Sequence, residues 1–198
     1  MKWVVACVFS VLLAGVVAAN TILVSQDPVA LAIEAGNHYA KKGEYPAALE
    51  WFDKAIELNP LSAAAHHNKG VVYHTSGQTE NAIASFETAV SIDSSYAKAR
   101  YSLALEYYYQ KQYESSIEEL KKVVELEPNN ANAHFDLGVI YVEKFRVKED
   151  AGTFTEEDLN DLRQGLAQYR TVLSINPEFQ HAPQNAAIVE SVIEEYSI

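Results

Sequence analysis

The sequence predicts an all-α protein, a solenoid of stacked helical hairpins that follows one apolar segment. Four tyrosines, and four small residues placed three positions before them, recur with a 34-residue step: Tyr39, Tyr73, Tyr107 and Tyr141, with Gly36, Gly70, Ala104 and Gly138. Within the first unit, apolar and small residues also recur every three or four positions, which is the period of a helix face. A helix–turn–helix unit repeated along the chain accounts for both periods.

Composition and charge limit the classes of function. Hydrophobic residues make up 48% of the 198 residues and charged residues 21%, which is typical of a folded protein. The net charge is −12, so the surface repels phosphates and nucleic acid is excluded as a favoured partner. Cys7 is the single cysteine, so the chain forms no internal disulfide.

The N-terminal segment is predicted to be a signal anchor. Residues 3–24 read WVVACVFSVLLAGVVAANTILV and carry no charge. As a helix they would extend roughly 33 Å, about the thickness of the hydrocarbon core of a bilayer. Lys2 precedes the segment, and positive charge tends to remain in the cytoplasm. We therefore expect residues 1–24 to span a membrane once and to place the rest of the chain outside the cytoplasm, after a linker at 25–28.

A cleaved secretory signal is the alternative for the same segment. Val17 and Ala19 have the spacing of a small-residue cleavage site, which would leave a secreted or periplasmic protein. The apolar run continues through residues 22–24, beyond that site, and this favours the anchor.

The first unit shows how each hairpin is built. Ala32, Gly36 and Tyr39 form the stripe of a first helix. A second stripe holds Ala48, Phe52 and Ala55, after a turn at Gly43, where glycine adopts backbone angles that other residues avoid. A proline at 60 ends the unit because it cannot continue a helix. Small side chains let the two helices approach closely, and since one pair cannot bury its apolar face, the pairs must stack.

These residues resemble the tetratricopeptide repeat (TPR) family over about residues 29–177. The resemblance implies units at 29–62, 63–96, 97–130 and 131–177. Where the family pattern often has Trp in the first helix, this chain has Ala32, His66, Arg100 and His134.

The fourth unit is longer than the others, with an insert around 145–160. Tyr141 and Pro177 are separated by 36 residues, against 21 between Tyr39 and Pro60. Thr155 and Asp158 have the spacing of a helix N-cap and its capping acid, which predicts a helix from about residue 156 to 174. In that helix Gly165, Tyr169 and Val172 are predicted to replace Ala48, Phe52 and Ala55.

Residues 178–198 are predicted to form a C-terminal capping helix. Arrays of this kind require a terminal element with a polar outer face. Ile188, Val189 and Val192 are expected to cover the last hairpin, while Glu190, Glu194 and Glu195 face water.

The resemblance implies a concave groove lined by the first helices, which holds a protein or peptide segment. The residues predicted to bind the partner are Asn37, Lys41, His67, Asn68, Val71, Lys98, Tyr101, Leu105, Tyr108, Tyr109 and Phe135. Some family members hold a carboxylate with five polar residues, and the corresponding positions here are Ile33, Asn37, Asn68, Lys98 and Ser102. Only three of these match, so we predict no strong carboxylate clamp.

Tyr108 and Tyr109 are the most distinctive groove residues. Their neighbours Tyr107 and Tyr113 have counterparts in other units and are expected to pack within the hairpin. Tyr108 and Tyr109 then remain, with Tyr101 and Phe135 expected nearby, either to anchor a partner or to be covered by the long fourth hairpin.

The sequence offers no cofactor, metal or catalytic site. His67 and His74 share a helix face but are separated by about 10.5 Å of rise, too far for one ion. Paired acids such as Glu118 and Glu119 read as solvated helix surface. We therefore predict a non-enzymatic, membrane-tethered scaffold that mediates protein–protein interaction or complex assembly, and a larger membrane complex of which it is a subunit is one candidate setting. An exported soluble adaptor or assembly factor is the alternative, and nothing in the sequence favours an enzyme.

Overall fold

A computed structural model describes residues 27–196 and shows nine α-helices and no strand within them. The helices are α1 Pro28–Lys41, α2 Tyr45–Leu58, α3 Ala63–Thr75, α4 Thr79–Ile92, α5 Ala97–Tyr109, α6 Tyr113–Leu126, α7 Ala131–Asp150, α8 Leu159–Ile175 and α9 Ala182–Tyr196. The predicted all-α solenoid is confirmed. The apolar segment 3–24 is outside the described residues, and among those described no helix is long and apolar enough to cross a membrane.

Consecutive helices pack in pairs, and the pairs stack. α1 packs on α2, α3 on α4, α5 on α6 and α7 on α8, and the second helix of each pair contacts the first helix of the next. Gly43 and Gly77, at the turns of the first two pairs, adopt φ of 76° and 75°. At the third turn Lys111 adopts a φ of 58°, so the chain takes a left-handed residue there without glycine.

Each glycine of the 34-residue series makes room for an aromatic ring on the partner helix. A Cβ added to Gly36 would be 2.6 Å from Phe52, and one added to Gly70 would be 2.6 Å from Phe86. In the fourth pair, a Cβ on Gly138 would be 2.8 Å from Tyr169, which is buried as predicted. These separations are shorter than carbon atoms tolerate, so the predicted close approach of the paired helices is confirmed.

The third pair uses a different combination at the same positions. Ala104 replaces the glycine, Leu120 replaces the ring, and both side chains are fully buried. Ser116 donates a hydrogen bond to the Ala104 carbonyl at 2.7 Å, which ties the two helices together. A larger side chain on one helix is thus matched by a smaller one on the other.

Polar residues at the family's Trp position anchor the loops that precede the second, third and fourth hairpins. His66 Nε2 contacts the carbonyl of Pro60 at 3.1 Å, and His134 Nε2 contacts that of Pro128 at 3.0 Å. Arg100 makes the equivalent contact, since its Nε donates to the Ser94 carbonyl at 2.7 Å. Each side chain therefore satisfies a carbonyl that has no partner within a helix.

The interpretation of Glu119 as solvated surface is wrong. Its side chain is only 12% exposed and pairs with the buried Arg100, whereas Glu118 is 70% exposed and contacts Lys122. The two residues are adjacent on α6, so they point in different directions, and only Glu119 points toward the preceding helix.

The long fourth hairpin is ordered. A 3₁₀ turn at Glu156–Asp158 precedes α8, and Thr155 and Asp158 form the predicted capping box. The Thr155 amide and hydroxyl both donate to the Asp158 carboxylate, at 2.8 and 2.9 Å. Phe154 packs against Phe145 and Tyr196, with ring centroids 5.4 and 4.9 Å apart. The insert therefore closes against α7 and α9.

The expectation that Ile188 covers the last hairpin is wrong, because its side chain is 62% exposed. Helix α9 repeats the spacing of a first helix. The buried residues of α9, and those that match them in α7, are Ala182, Ala186 and Val189, with Ala133, Leu137 and Ile140. Ile188 therefore occupies the position that the half-buried Val139 holds in α7, beside the buried residues and not among them.

Candidate functional site

The odd-numbered helices present one continuous surface, which we call the groove face. On it Asn68 Nδ2 donates to Asn37 Oδ1 at 3.2 Å, which connects α3 to α1. His67 Nε2 and Ser102 Oγ are hydrogen bonded at 3.2 Å, which connects α3 to α5. Three side chains predicted from sequence to bind a partner, Asn37, His67 and Asn68, thus form with Ser102 a polar row that crosses three hairpins.

The row opens on a cavity of about 290 Å³, which we call the central pocket. Of the predicted partner-binding residues, His67, Val71, Lys98 and Tyr101 line it, together with Ser102. Lys98 is exposed, so its ammonium is available at the rim. The structure therefore brings together at one cavity residues that the sequence separates by more than 30 positions.

His67 is held neutral within this surface. Its ring packs against Phe86 and Tyr96, at centroid separations of 5.6 and 5.3 Å. Burial lowers the pKa of His67, the hydrogen bond that its Nδ1 donates to Asn68 Oδ1 partly opposes this, and the charge of Lys98 lowers it further. At neutral pH the imidazole therefore has one donor and one acceptor nitrogen, and it orients its polar neighbours without adding charge.

Tyr101 joins α5 to α7. Its hydroxyl donates to the Asp136 carboxylate. Burial raises the pKa of Tyr101 well above its usual value, and the bond to Asp136 raises it further. Burial also raises the pKa of Asp136, while the bond from Tyr101 lowers it. The phenol therefore stays protonated and donates, which fixes α7 beside α5.

Tyr108 and Tyr109 have different environments. Tyr109 is 62% exposed, and its ring stacks on His74 at 6.5 Å, with His74 in turn contacting the buried Glu106 carboxylate. Tyr108 is half-buried and packs against Tyr109 and Tyr113, at 5.6 and 6.2 Å. Among the described residues, nothing from the fourth hairpin covers Tyr109, so it faces outward as an aromatic anchor would.

The other predicted residues lie toward the edges of the groove face. Lys41 is exposed at the end of α1, and Leu105 is half-buried on α5. Phe135 packs with α8 and its following loop, with its ring 5.6 Å from Tyr169 and 5.1 Å from Phe179.

A second cavity on the groove face is absent from the sequence-based prediction. It has a volume of about 510 Å³ and lies between α7 and α9. We call it the terminal pocket. Val139, Val142, Ile188 and Val192 form its walls, and α8 contributes Leu162 and Tyr169. The signal was present, because the 34-residue step, lengthened by the insert, places Ile188 in register with Val139.

Residues 27–196 contain no cluster of three His, Cys, Asp or Glu side chains that could hold a metal ion. Some of their ionisable side chains form pairs that connect helices, as Arg100 does with Glu119 and Lys144 with Asp161.

Two family models match the chain. A model described as TPR repeat matches residues 36–77 and 104–144, and one described as tetratricopeptide repeat matches 63–96, so that together they cover just over half of the sequence. Neither describes a catalytic family. A comparison with curated proteins gives no significant match.

Several solved structures share the fold. MamA is 20% identical over 85% of both chains, with a TM-score of 0.70. YrrB, described as a TPR protein with an unusual peptide-binding site, is 24% identical over 82% of this chain and 76% of its own, with a TM-score of 0.67. The first TPR of Spaghetti (RPAP3), bound to the HSP90 peptide SRMEEVD, is 27% identical over 57% of this chain and 89% of its own, with a TM-score of 0.54.

Proposed function

Because the chain belongs to the tetratricopeptide repeat family, we propose that it is a non-enzymatic, membrane-tethered scaffold that holds an extended segment of a partner protein on its groove face. The observation that carries this proposal is the polar row of Asn37, Asn68, His67 and Ser102, which opens on the central pocket. Side-chain amides both donate and accept hydrogen bonds, so they suit the backbone of an extended peptide. Peptide binding by YrrB and by the first TPR of Spaghetti supports this use of the fold.

The central pocket favours recognition of the peptide backbone over recognition of a terminal carboxylate. Ile33 packs against the apolar cores of the first two hairpins, and Ser102 is bonded to His67. Lys98 then remains as a cation beside the polar row, at the rim of the same pocket. A lone lysine pairs with a carboxylate less specifically than a cluster containing arginine does.

A photo-reactive residue placed at Val71 is expected to crosslink a partner protein in native membranes. Val71 lines the central pocket and is 40% exposed. Leu126 provides a matched control, because it is 44% exposed and ends α6, a second helix. Irradiation followed by electrophoresis should give an adduct from position 71 and none from position 126. Equal adducts at both positions, or an adduct only at 126, would place the interaction elsewhere.

Tethering by residues 3–24 is proposed from their uncharged, bilayer-length sequence. The full chain is expected to stay with the membrane pellet after carbonate extraction, and its groove face is expected to be digested by protease added from the non-cytoplasmic side. Release of the chain by carbonate, with an N-terminus at Asn20, would instead identify the exported soluble adaptor.

A further inference from the structure

The terminal pocket presents an apolar surface that the described chain leaves open. Ile188 is 62% exposed at its mouth, and the half-buried Val139, Val142 and Val192 form the walls around it. Its volume of about 510 Å³ is within the range of pockets that enclose a bulky group. Because it lies on the groove face, a segment bound along the first helices would reach it.

The rim of the terminal pocket carries Glu143 and Arg146, and within residues 27–196 this arginine is the cation that contacts the Glu143 carboxylate. Glu143 contacts Arg146 at 3.4 Å, and that arginine side chain is 62% exposed, so the pair is weak. The other basic residues of α7 are engaged elsewhere, since Lys144 pairs with Asp161 at 3.2 Å and Lys148 pairs with Asp158.

The charge of Glu143 also acts on Tyr108 of the groove face. Burial raises the pKa of Tyr108, and the negative charge of Glu143 is the next contributor. The same carboxylate contributes to the raised pKa of Tyr169, within the terminal pocket. Glu143 therefore lies at the rim of the apolar cavity, and Tyr108 is the groove tyrosine on which its charge acts.

The charge of this end of the solenoid favours a cationic occupant. Between residues 131 and 196, Asp and Glu outnumber Lys and Arg by more than two to one, and the whole chain has a net charge of −12. Acidic segments and second copies of this chain are therefore repelled, while basic segments are attracted. Aromatic faces beside a carboxylate suit a Lys or Arg side chain, which stacks on the ring and pairs with the acid.

We propose that the terminal pocket receives a large apolar side chain of the partner segment and that the rim carboxylate Glu143, on the side of Tyr108, receives a neighbouring Lys or Arg. This rests on the proposed function, since it names the chemistry of the segment that the groove face holds. The partner is thus a protein with an exposed basic–apolar segment, and α9 completes its binding site.

Selection of short random peptides on the full-length chain, held in detergent, tests this proposal. Selected peptides are expected to contain Lys or Arg next to Leu, Ile, Phe or Trp. Glu143→Lys should weaken their binding about tenfold or more, because it places like charges together, and selection on that variant should favour acidic residues. Ile188→Asp should weaken binding of the originally selected peptides to a similar extent, because it puts a charge at the mouth of the apolar pocket.

Glu125→Lys serves as the control, since it makes the same charge change at an exposed position of α6. It should leave peptide affinity within about twofold of the original value. Equal losses from Glu125→Lys and Glu143→Lys would reveal a general charge effect and overturn the proposed site.

The remaining outcomes separate this proposal from the proposed function. Peptides that depend on Asn68 but tolerate both Glu143→Lys and Ile188→Asp would overturn the terminal site and leave groove binding intact. If no groove-face variant changes the affinity for the peptides, both the terminal site and the proposed groove binding are overturned. If Ile188→Asp abolishes a dimer of the full chain in analytical ultracentrifugation, the terminal pocket holds a second copy and the proposal fails.

Discussion

Gly70→Ala is expected to lower the free energy of unfolding by up to about 2 kcal/mol, even though alanine is the better helix former. The new Cβ would be 2.6 Å from the Phe86 ring, a contact that the buried ring must move to relieve. Overpacking of this kind typically costs about 1–3 kcal/mol, and the gain in helix propensity offsets about 1 kcal/mol of it.

The third hairpin supplies the compensating change. Ala104 and Leu120 occupy the positions of Gly70 and Phe86, and both are fully buried. Phe86→Leu alone leaves a gap and should also destabilise the protein. The double variant reproduces the packing of the third hairpin, so it should be more stable than the sum of the single changes predicts, by about 1 kcal/mol or more.

Urea unfolding followed by circular dichroism measures all three variants. The reciprocal pair, Ala104→Gly with Leu120→Phe, serves as the control because it should show coupling of the same sign in the other hairpin. Strict additivity in both hairpins would show that the helices adjust their separation freely, and the size-matching account of the fold would then be wrong.

The 34-residue period predicts the fold because residues one period apart make equivalent contacts between the two helices of their hairpins. Gly36 and Gly138 could be assigned from spacing alone, since the contact each makes is repeated within the chain. The sequence did not predict the terminal pocket because we expected the capping helix to pack all its apolar residues against the last hairpin. Helix α9 instead keeps the register of a first helix, so Ile188 faces the groove.

The repeat spacing does not predict which of two adjacent groove tyrosines is exposed. Tyr108 and Tyr109 are adjacent in sequence, and both were assigned to the groove. Which of them is exposed depends on how α7 crosses α5, and the bond between Tyr101 and Asp136 is part of that crossing. A contact between two helices is not encoded in the periodicity of either one. Tyr109 is therefore the more exposed of the two.

Glu119→Gln is expected to lower the free energy of unfolding by about 3 kcal/mol. Arg100 and Glu119 are 9% and 12% exposed, and removing one charge of a buried pair leaves the other uncompensated. Glu118→Gln is the matched control on the same helix. Glu118 is 70% exposed, so its substitution should change the free energy of unfolding by no more than about 0.5 kcal/mol. Similar urea midpoints for the two variants would mean that the Arg100 pair contributes nothing to stability.

The fourth hairpin indicates how the loss at Glu119 can be reversed. One repeat later, after allowance for the insert, His134 replaces Arg100 and Gln168 replaces Glu119, and these side chains contact each other at 2.7 Å. Both first-helix residues also contact the carbonyl of the preceding loop. Arg100→His combined with Glu119→Gln should therefore recover most of the stability lost in either single variant, because the interaction remains and no buried charge is left alone. A double variant as unstable as the less stable single variant would contradict this expectation. It would show that the His134–Gln168 pair cannot replace the Arg100–Glu119 pair in the third hairpin.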